Sequence, residues 1–273
     1  MQATILIKNE QIHYIYEDAS EGTPVLLFIH GFKDRSKTIQ PLLSIKNRNY
    51  SIYALDMPGC GESSNNLGAY SIEFYAEVVR EFINKVLPNK KIILMGHSMG
   101  AAVSLMCFDI ANVNELILVA PFNYYAGLNA DYEQGKRWML PENIEDAIEA
   151  YKALVYNPNI FYIKGIQAFA MQDIQNKEKT KAMFSYIVDN QFFNKSYLEN
   201  VLKPLYHNAK KPYTLIYAKN DLFTTESEML KLIDDIPTIT PFALEECGHA
   251  VFFQKANKVN EIVSNIAKVL KAE

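Results

Sequence analysis

Cysteine and net charge are both scarce in this chain, and each scarcity removes a class of explanation. Three residues in 273 are cysteine: Cys60, Cys107 and Cys247 are widely separated and never at C-x-x-C spacing, so neither a disulfide framework nor a cysteine-held zinc site is expected. Cys107 falls in an apolar stretch and reads as a small core residue. Cys60 and Cys247 lie in loops, where modification would be felt without the thiols being reactive groups. A formal net charge of -4 supplies no field to draw nucleic acid or an anionic membrane. No apolar run approaches the ~20 residues that cross a bilayer. The opening run from Met1 is interrupted too soon by Lys8, Asn9 and Glu10 to serve as a signal peptide. The expectation is a cytoplasmic protein with no nucleic-acid partner and no stable membrane insertion.

What the chain does have is apolar residue, 49% of the total against 21% charged, enough to bury the core of one α/β domain with an insertion. Ala3 to Ile7 and Ile12 to Tyr16 predict an antiparallel hairpin across Asn9-Glu10. Pro24 to Ile29 is apolar on both faces, as in the middle of a parallel sheet, and ends in His30-Gly31-Phe32. A short helix over Ser36 to Ile45 and a strand over Tyr50 to Leu55 precede a loop crowded with turn formers, Asp56-Met57-Pro58-Gly59-Cys60-Gly61-Glu62-Ser63. Ser71 N-caps a helix to Leu87 with Phe74, Val78, Phe82 and Val86 on one face and Pro88 beyond its end. A strand over Lys91 to Met95, a helix to about Asn112 and a strand over Glu115 to Pro121 follow. This alternation predicts right-handed crossovers and a mainly parallel sheet between two helical layers.

From Phe122 to about Asn208 the rhythm changes to helices alone: Pro141 to Tyr156, Asn159 to Asp173, Lys177 to Asp189 and Lys195 to Tyr206. Inserted after a sheet strand, this segment reads as a cap or lid. A core of residues 1–121 and 209–273 with a cap at 122–208 is the domain division expected. The sheet resumes with a strand over Pro212 to Ala218, a helix over Thr224 to Asp234, a last strand over Thr238 to Leu244 and a closing helix over Gln254 to Leu270.

The stretch that organises the rest is Gly96-His97-Ser98-Met99-Gly100, where a buried strand meets a helix. Glycines two residues to either side of Ser98 are needed where any Cβ would collide as strand and helix cross closely. Ser98 is thereby pushed out above the strand end as a candidate nucleophile for a carbonyl. A hydroxyl needs a base, and five histidines are available. His13 lies in the first hairpin, His207 at the end of the helical segment, His30 in a glycine turn, and His97 beside Ser98 is expected to face away. His249, in Glu246-Cys247-Gly248-His249-Ala250, follows the last strand at the edge where Ser98 emerges. It is the base preferred. Asp221, in Lys219-Asn220-Asp221 beyond a strand, is the carboxylate to orient it, with Glu226, Glu245 and Glu246 as rivals. Asn123 occupies a place where a carboxylate might otherwise serve. Two backbone N–H groups, of Met99 and Phe32, are the candidate oxyanion donors.

With these residues in place, the chain resembles the α/β-hydrolase superfamily, among its branches the small capped carboxylesterases and monoacylglycerol-lipase-like serine hydrolases. The resemblance rests on His30-Gly31-Phe32, the D-x-P-G-x-G-x-S loop from Asp56, Gly96 to Gly100, Asp221, and Gly248-His249, in that order from Pro24 onward, the helical segment excepted. It implies an eight-stranded sheet with the second strand antiparallel, a Ser98-Asp221-His249 triad, a small-molecule acyl ester as substrate, and no metal or organic cofactor. Ser98 argues against relatives that attack with aspartate. Proline iminopeptidases share the layout but usually read D-Q-R-G-x-G-x-S and G-G-S-W-G, which Asp56 to Ser63 and Gly96 to Gly100 match poorly. Aminopeptidase or amidase activity is the runner-up, and a binding protein that has kept the fold without turnover is the alternative from another class. The Asp56 loop, His30 and His97 read as structural residues around the site. Tyr124, Tyr125, Trp138, Phe161, Tyr162, Phe169, Phe184, Tyr186, Phe192 and Phe193 mostly pack the cap helices together. Those that face the pocket favour a hydrophobic acyl group.

Overall fold

Strands with both faces apolar can be buried only between two layers, and this requirement sets the architecture. The structure, a computed structural model, describes residues 1–126, 132–209 and 211–272. The side chain of Phe161 lies outside the described residues. The chain opens with the strands β1 (Gln2–Ile7) and β2 (Glu10–Glu17), paired antiparallel with Ile7 opposite Glu10. Next come β3 (Val25–Ile29), a 3₁₀ turn over Ser36–Ile39, the short helix α1 (Gln40–Leu43) and β4 (Ser51–Leu55), and every residue of β3 and β4 is buried. The helix α2 (Ile72–Val86) starts at Ser71, whose hydroxyl accepts the N–H of Phe74. Its buried face is centred on Tyr75, Val79 and Phe82, with Phe74 and Val86 only partly covered.

After α2 come β5 (Ile92–His97), α3 (Met99–Met106) and β6 (Val113–Val119). The helix α3 stops well short of the expected Asn112, and backbone turns ending at Val113 carry the chain into the strand. Helices then follow: α4 (Tyr132–Met139), α5 (Ile144–Ala153), α6 (Ile160–Gln175), α7 (Lys177–Ile187), α8 (Lys195–Tyr197) and α9 (Lys203–His207), with π-helical turns over Val188–Phe192 and Leu198–Leu202. The sequence reading missed α4, which has no buried residue to betray it. Asn143, Asn159 and Asn194 each cap a helix by accepting the N–H three residues on, which explains their abundance in this stretch. The sheet resumes with β7 (Tyr213–Ala218), α10 (Glu226–Asp235) and β8 (Ile239–Leu244), and α11 (Val251–Ala272) closes the chain with a non-helical break at Lys255.

The eight strands form one sheet in the order β1-β2-β4-β3-β5-β6-β7-β8, parallel throughout except that β2 runs against both neighbours. Alternate residues of the central strands face opposite layers. Leu27, Leu94 and Leu116 join α2 and α3 on one side, whereas Phe28, Met95 and Ile117 join α1 and α11 on the other. Parallel pairing of β3, β5, β6, β7 and β8 brings their C-terminal ends to one edge, so the loops after them meet there.

Candidate active site

Ser98 sits between β5 and α3 with φ 53° and ψ −118°, a backbone conformation that costs a non-glycine residue about 1–3 kcal/mol. The two glycines make the turn possible. A Cβ on Gly96 would lie 2.2 Å from the Gly100 carbonyl oxygen, and one on Gly100 would lie 2.3 Å from that of Ile29. The second contact shows what the turn achieves: α3 is drawn against the end of β3, where His30-Gly31-Phe32 begins. A Cβ on Gly31 would be 3.2 Å from the Cβ of Ser98, a tight contact that shows how closely the turn and the serine lie side by side. Backbone bonds hold the apex, the Ser98 N–H donating to the Val119 carbonyl at 3.0 Å and the Phe122 N–H to the Ser98 carbonyl at 3.1 Å.

The structure brings His249 and Asp221 together. His249 Nδ1 is 2.7 Å from Asp221 Oδ2, and both side chains are buried. Burial alone would push the Asp221 carboxyl up. The His249 charge and hydrogen bond, with the N–H groups of Thr224 and Phe223, outweigh burial and hold it below its ordinary value. Those N–H groups donate to Oδ1 at 3.0 and 2.7 Å, and the Thr224 hydroxyl donates to Oδ2 at 2.9 Å. The two loops are also tied to each other by the Asn220 N–H on the Cys247 carbonyl. Among the described residues no hydrogen bond joins the Ser98 hydroxyl to His249. None of the rivals is bonded to His249 among the described residues: Glu226 opens α10, and Glu245 pairs with Lys219 at 2.7 Å.

His97, expected to turn away from Ser98, turns toward His249. The rings are 4.9 Å apart, and His97 Nε2 is 3.0 Å from the His249 carbonyl. Burial, helped by the neighbouring His249, drives its pKa down to about 3, so the ring is neutral packing under the His249 loop. His13 is buried against Asp56 at 2.8 Å, and His207 lies near Asp235 at 3.2 Å, both away from the Ser98 turn. Asn123 is fully buried, its side chain accepting the N–H of Tyr125. Two aromatic walls stand over the edge. Phe32 packs edge-on against Phe184 and Phe192, with ring centroids 5.3 and 5.2 Å away. On the other side Trp138 packs on Phe223 at 5.0 Å, and Phe223 on His249 at 5.1 Å. A groove of about 970 Å³ opens beside this wall, lined by Trp138, Tyr156, Lys219, Asp221 and Glu226 among others.

Sequence reasoning missed Phe223, Thr224 and Glu228. The first two belong to a turn that an aspartate followed by a threonine three residues on could have signalled. Glu228 is 1% exposed in α10, with Oε2 unpartnered among the described residues. Burial pushes its carboxyl up to about 7. Nothing in a surface-helix pattern announces a buried glutamate. No group of acidic, histidine and cysteine side chains among the described residues is arranged to hold a metal ion, and no described helix is long and apolar enough to cross a membrane.

The chain has relatives among known proteins. The chain is 25% identical over 262 residues to the "Putative esterase/lipase 2" of Mycoplasma pneumoniae, covering 89% of this chain and 90% of that one. It is 26% identical over 283 residues to the 2-hydroxy-6-oxononadienedioate/2-hydroxy-6-oxononatrienedioate hydrolase of Escherichia coli K12, covering 94% and 91%. Among solved structures it shares the fold of a bacterial membrane phospholipase A, at TM-score 0.81 and 18% identity over 100% of this chain and 87% of that one. It shares that fold also with the enol-lactonase of Burkholderia xenovorans, at TM-score 0.72 and 16% identity over 96% and 98%. Residues 26–262, from the first buried strand into the last helix, match the model of the alpha/beta hydrolase family, and the chain belongs to that family.

Proposed function

We propose that the protein is a serine hydrolase that cleaves carboxylic esters through an acyl-enzyme on Ser98. The observation that carries this reading is the buried His249–Asp221 pair at 2.7 Å, held at the same sheet edge as the strained Ser98 turn. His249 Nε2, the nitrogen not engaged by Asp221, takes the Ser98 proton as the hydroxyl oxygen attacks the ester carbon. The imidazolium so formed is stabilised by the Asp221 carboxylate and passes the proton to the departing alkoxide. Water, deprotonated by the same nitrogen, then releases the acyl group as a carboxylic acid. The N–H groups of Met99, first in α3, and of Phe32 hold the oxyanion. Hydrogen bonds between nucleophile and base often tighten only around substrate.

Residues 122–208 act as a cap on a core of 1–121 and 209–273. The Phe184 and Phe192 rings reach the Phe32 ring from this segment, which supports a hydrophobic acyl group beside the oxyanion turn. Relatives named as esterase/lipase, phospholipase and lactonase agree with ester chemistry. Ser98→Ala is expected to lower kcat on p-nitrophenyl butyrate by a factor on the order of 10⁶, and a fluorophosphonate is expected to label Ser98. Hydrolysis by Ser98→Ala at the wild-type rate would overturn the proposal.

A further inference from the structure

His30 is fully buried, opens the His30-Gly31-Phe32 turn and has both ring nitrogens engaged. The Met57 N–H lies 2.9 Å from Nε2. A backbone N–H can only donate, so Nε2 must carry the lone pair and the proton of the neutral ring must be on Nδ1. Nδ1 is 2.7 Å from the Gly31 carbonyl oxygen, to which it donates. The tautomer is thus settled by the partners, and both bonds close only with that one.

The Gly31 carbonyl belongs to the same peptide unit as the Phe32 N–H. In a planar trans peptide the two point in opposite directions, so holding the oxygen on one side holds the N–H on the other. A second donor, the Asp34 N–H at 3.3 Å, reaches the same oxygen. The loop from Asp56 grips the turn at two places. Met57 holds His30 at the start, and Asp56 Oδ1 accepts the Ser36 N–H at 2.6 Å at the far end. Asp56 is itself fixed by His13 Nδ1 at 2.8 Å and the Glu62 N–H at 2.9 Å. A loop read from sequence as a structural turn is therefore fastened to both ends of the segment that carries the oxyanion donor.

We infer that His30 is a positioning residue: its Nδ1–H, set by Met57, orients the Gly31–Phe32 peptide plane so that the Phe32 N–H is held as an oxyanion donor. This rests on the reading of Ser98 as nucleophile and Phe32 N–H as donor. His30 touches no reacting atom and acts through the peptide.

Two substitutions separate the two bonds. Asparagine places an amide N–H near the position of Nδ1 and keeps the donor to Gly31, whereas glutamine places an oxygen near Nε2 and keeps only the acceptor for Met57. Each loses one buried hydrogen bond, so His30→Asn and His30→Gln are expected to lose similar thermal stability. Their rates diverge. His30→Gln loses about 10- to 100-fold in kcat on p-nitrophenyl butyrate, short of the 10²–10³ for removing an oxyanion donor outright, with KM changed less than about threefold. His30→Asn loses only a few-fold in kcat. A kcat for His30→Gln equal to that of His30→Asn, or a loss in KM alone, overturns the inference. Nitrogen-15 NMR of the wild-type His30 ring gives a readout that needs no substitution: the Nδ1–H tautomer is expected, and an Nε2–H tautomer overturns it. Ser98→Ala assayed beside these tells the two failures apart. If it is as active as wild type, the functional reading falls and the inference with it. If it is inactive and His30→Gln is unimpaired, the inference alone falls.

Discussion

At the scale of single residues, the chemistry is decided by which carboxyl groups are satisfied. Asp221 receives His249 Nδ1, two N–H groups and the Thr224 hydroxyl, and these outweigh its burial. Asp221→Asn leaves the shape intact but offers His249 the wrong partner for its tautomer, and kcat on an activated ester is expected to fall about 10⁴-fold. Glu228 is the opposite case. Its Oε2 has no partner among the described residues, and its pKa rises to about 7 from an ordinary value of 4.5. The folded protein thus holds this proton more tightly than the unfolded chain. Stability is present below pH 4.5 and is lost as pH climbs from there toward 7, by roughly 3 kcal/mol in full. Glu228→Gln removes the titration, so its urea midpoints at pH 5 and pH 7.5 should converge relative to wild type. An unchanged difference between the two pH values would count against a buried, proton-holding Glu228.

At the scale of elements, the close crossing of α3 on β3 and β5 is the feature that everything else accommodates. It depends on backbone meeting backbone, where nothing flexible can give way. Gly100→Ala puts a methyl 2.3 Å from the Ile29 carbonyl and 2.6 Å from that of His30, so it must push α3 off the sheet. A loss of 3 kcal/mol or more in urea unfolding is expected, at or above the upper end for overpacking, with activity lost as Ser98 moves. Gly165→Ala, in α6, meets nothing within 4 Å and should be stabilising by roughly 0.5–1 kcal/mol through helix propensity. If the two variants unfolded at the same midpoint, the crossing would not be as tight as the contacts require. The crossing was legible in the sequence because glycine has few other reasons to recur at that spacing around a serine. The helix α4 was not legible, because it buries no residue that marks a face.

At the scale of the whole molecule, α7, α9 and the π-helical turns between β6 and β7 share one apolar cluster with the sheet. Phe184, Ile187, Leu202 and Tyr206 are buried in the cluster that holds Leu27, Leu94 and Leu116. Polar ties cross as well: the Ile72 N–H donates to Gln191 Oε1 at 3.0 Å, and the Gln191 amide and Tyr197 hydroxyl donate to the Glu73 carboxylate at 2.7 and 2.9 Å. The single tryptophan, Trp138, lies in α4, so its fluorescence reports the segment, while far-ultraviolet circular dichroism reports the whole chain. The two signals are expected to change at one urea midpoint. A fluorescence transition at lower urea would mean that the segment comes away first.

The sequence by itself determined the alternation of strands and helices, the turn at Ser98, and the choice of His249 and Asp221, which the structure brings within 2.7 Å of each other. Each of these follows from local rules: apolar runs must be buried, glycine is required where chains touch, and loops after parallel strands share an edge. Only the tertiary structure decided which groups the histidines meet. His97 lies against His249, and His30 takes Met57 on one nitrogen and Gly31 on the other. Glu228 is driven to hold a proton by burial that no helix pattern announces. Those outcomes depend on residues far apart in the chain arriving at the same place, and a hydrogen bond or a desolvated carboxyl has no signature until they do.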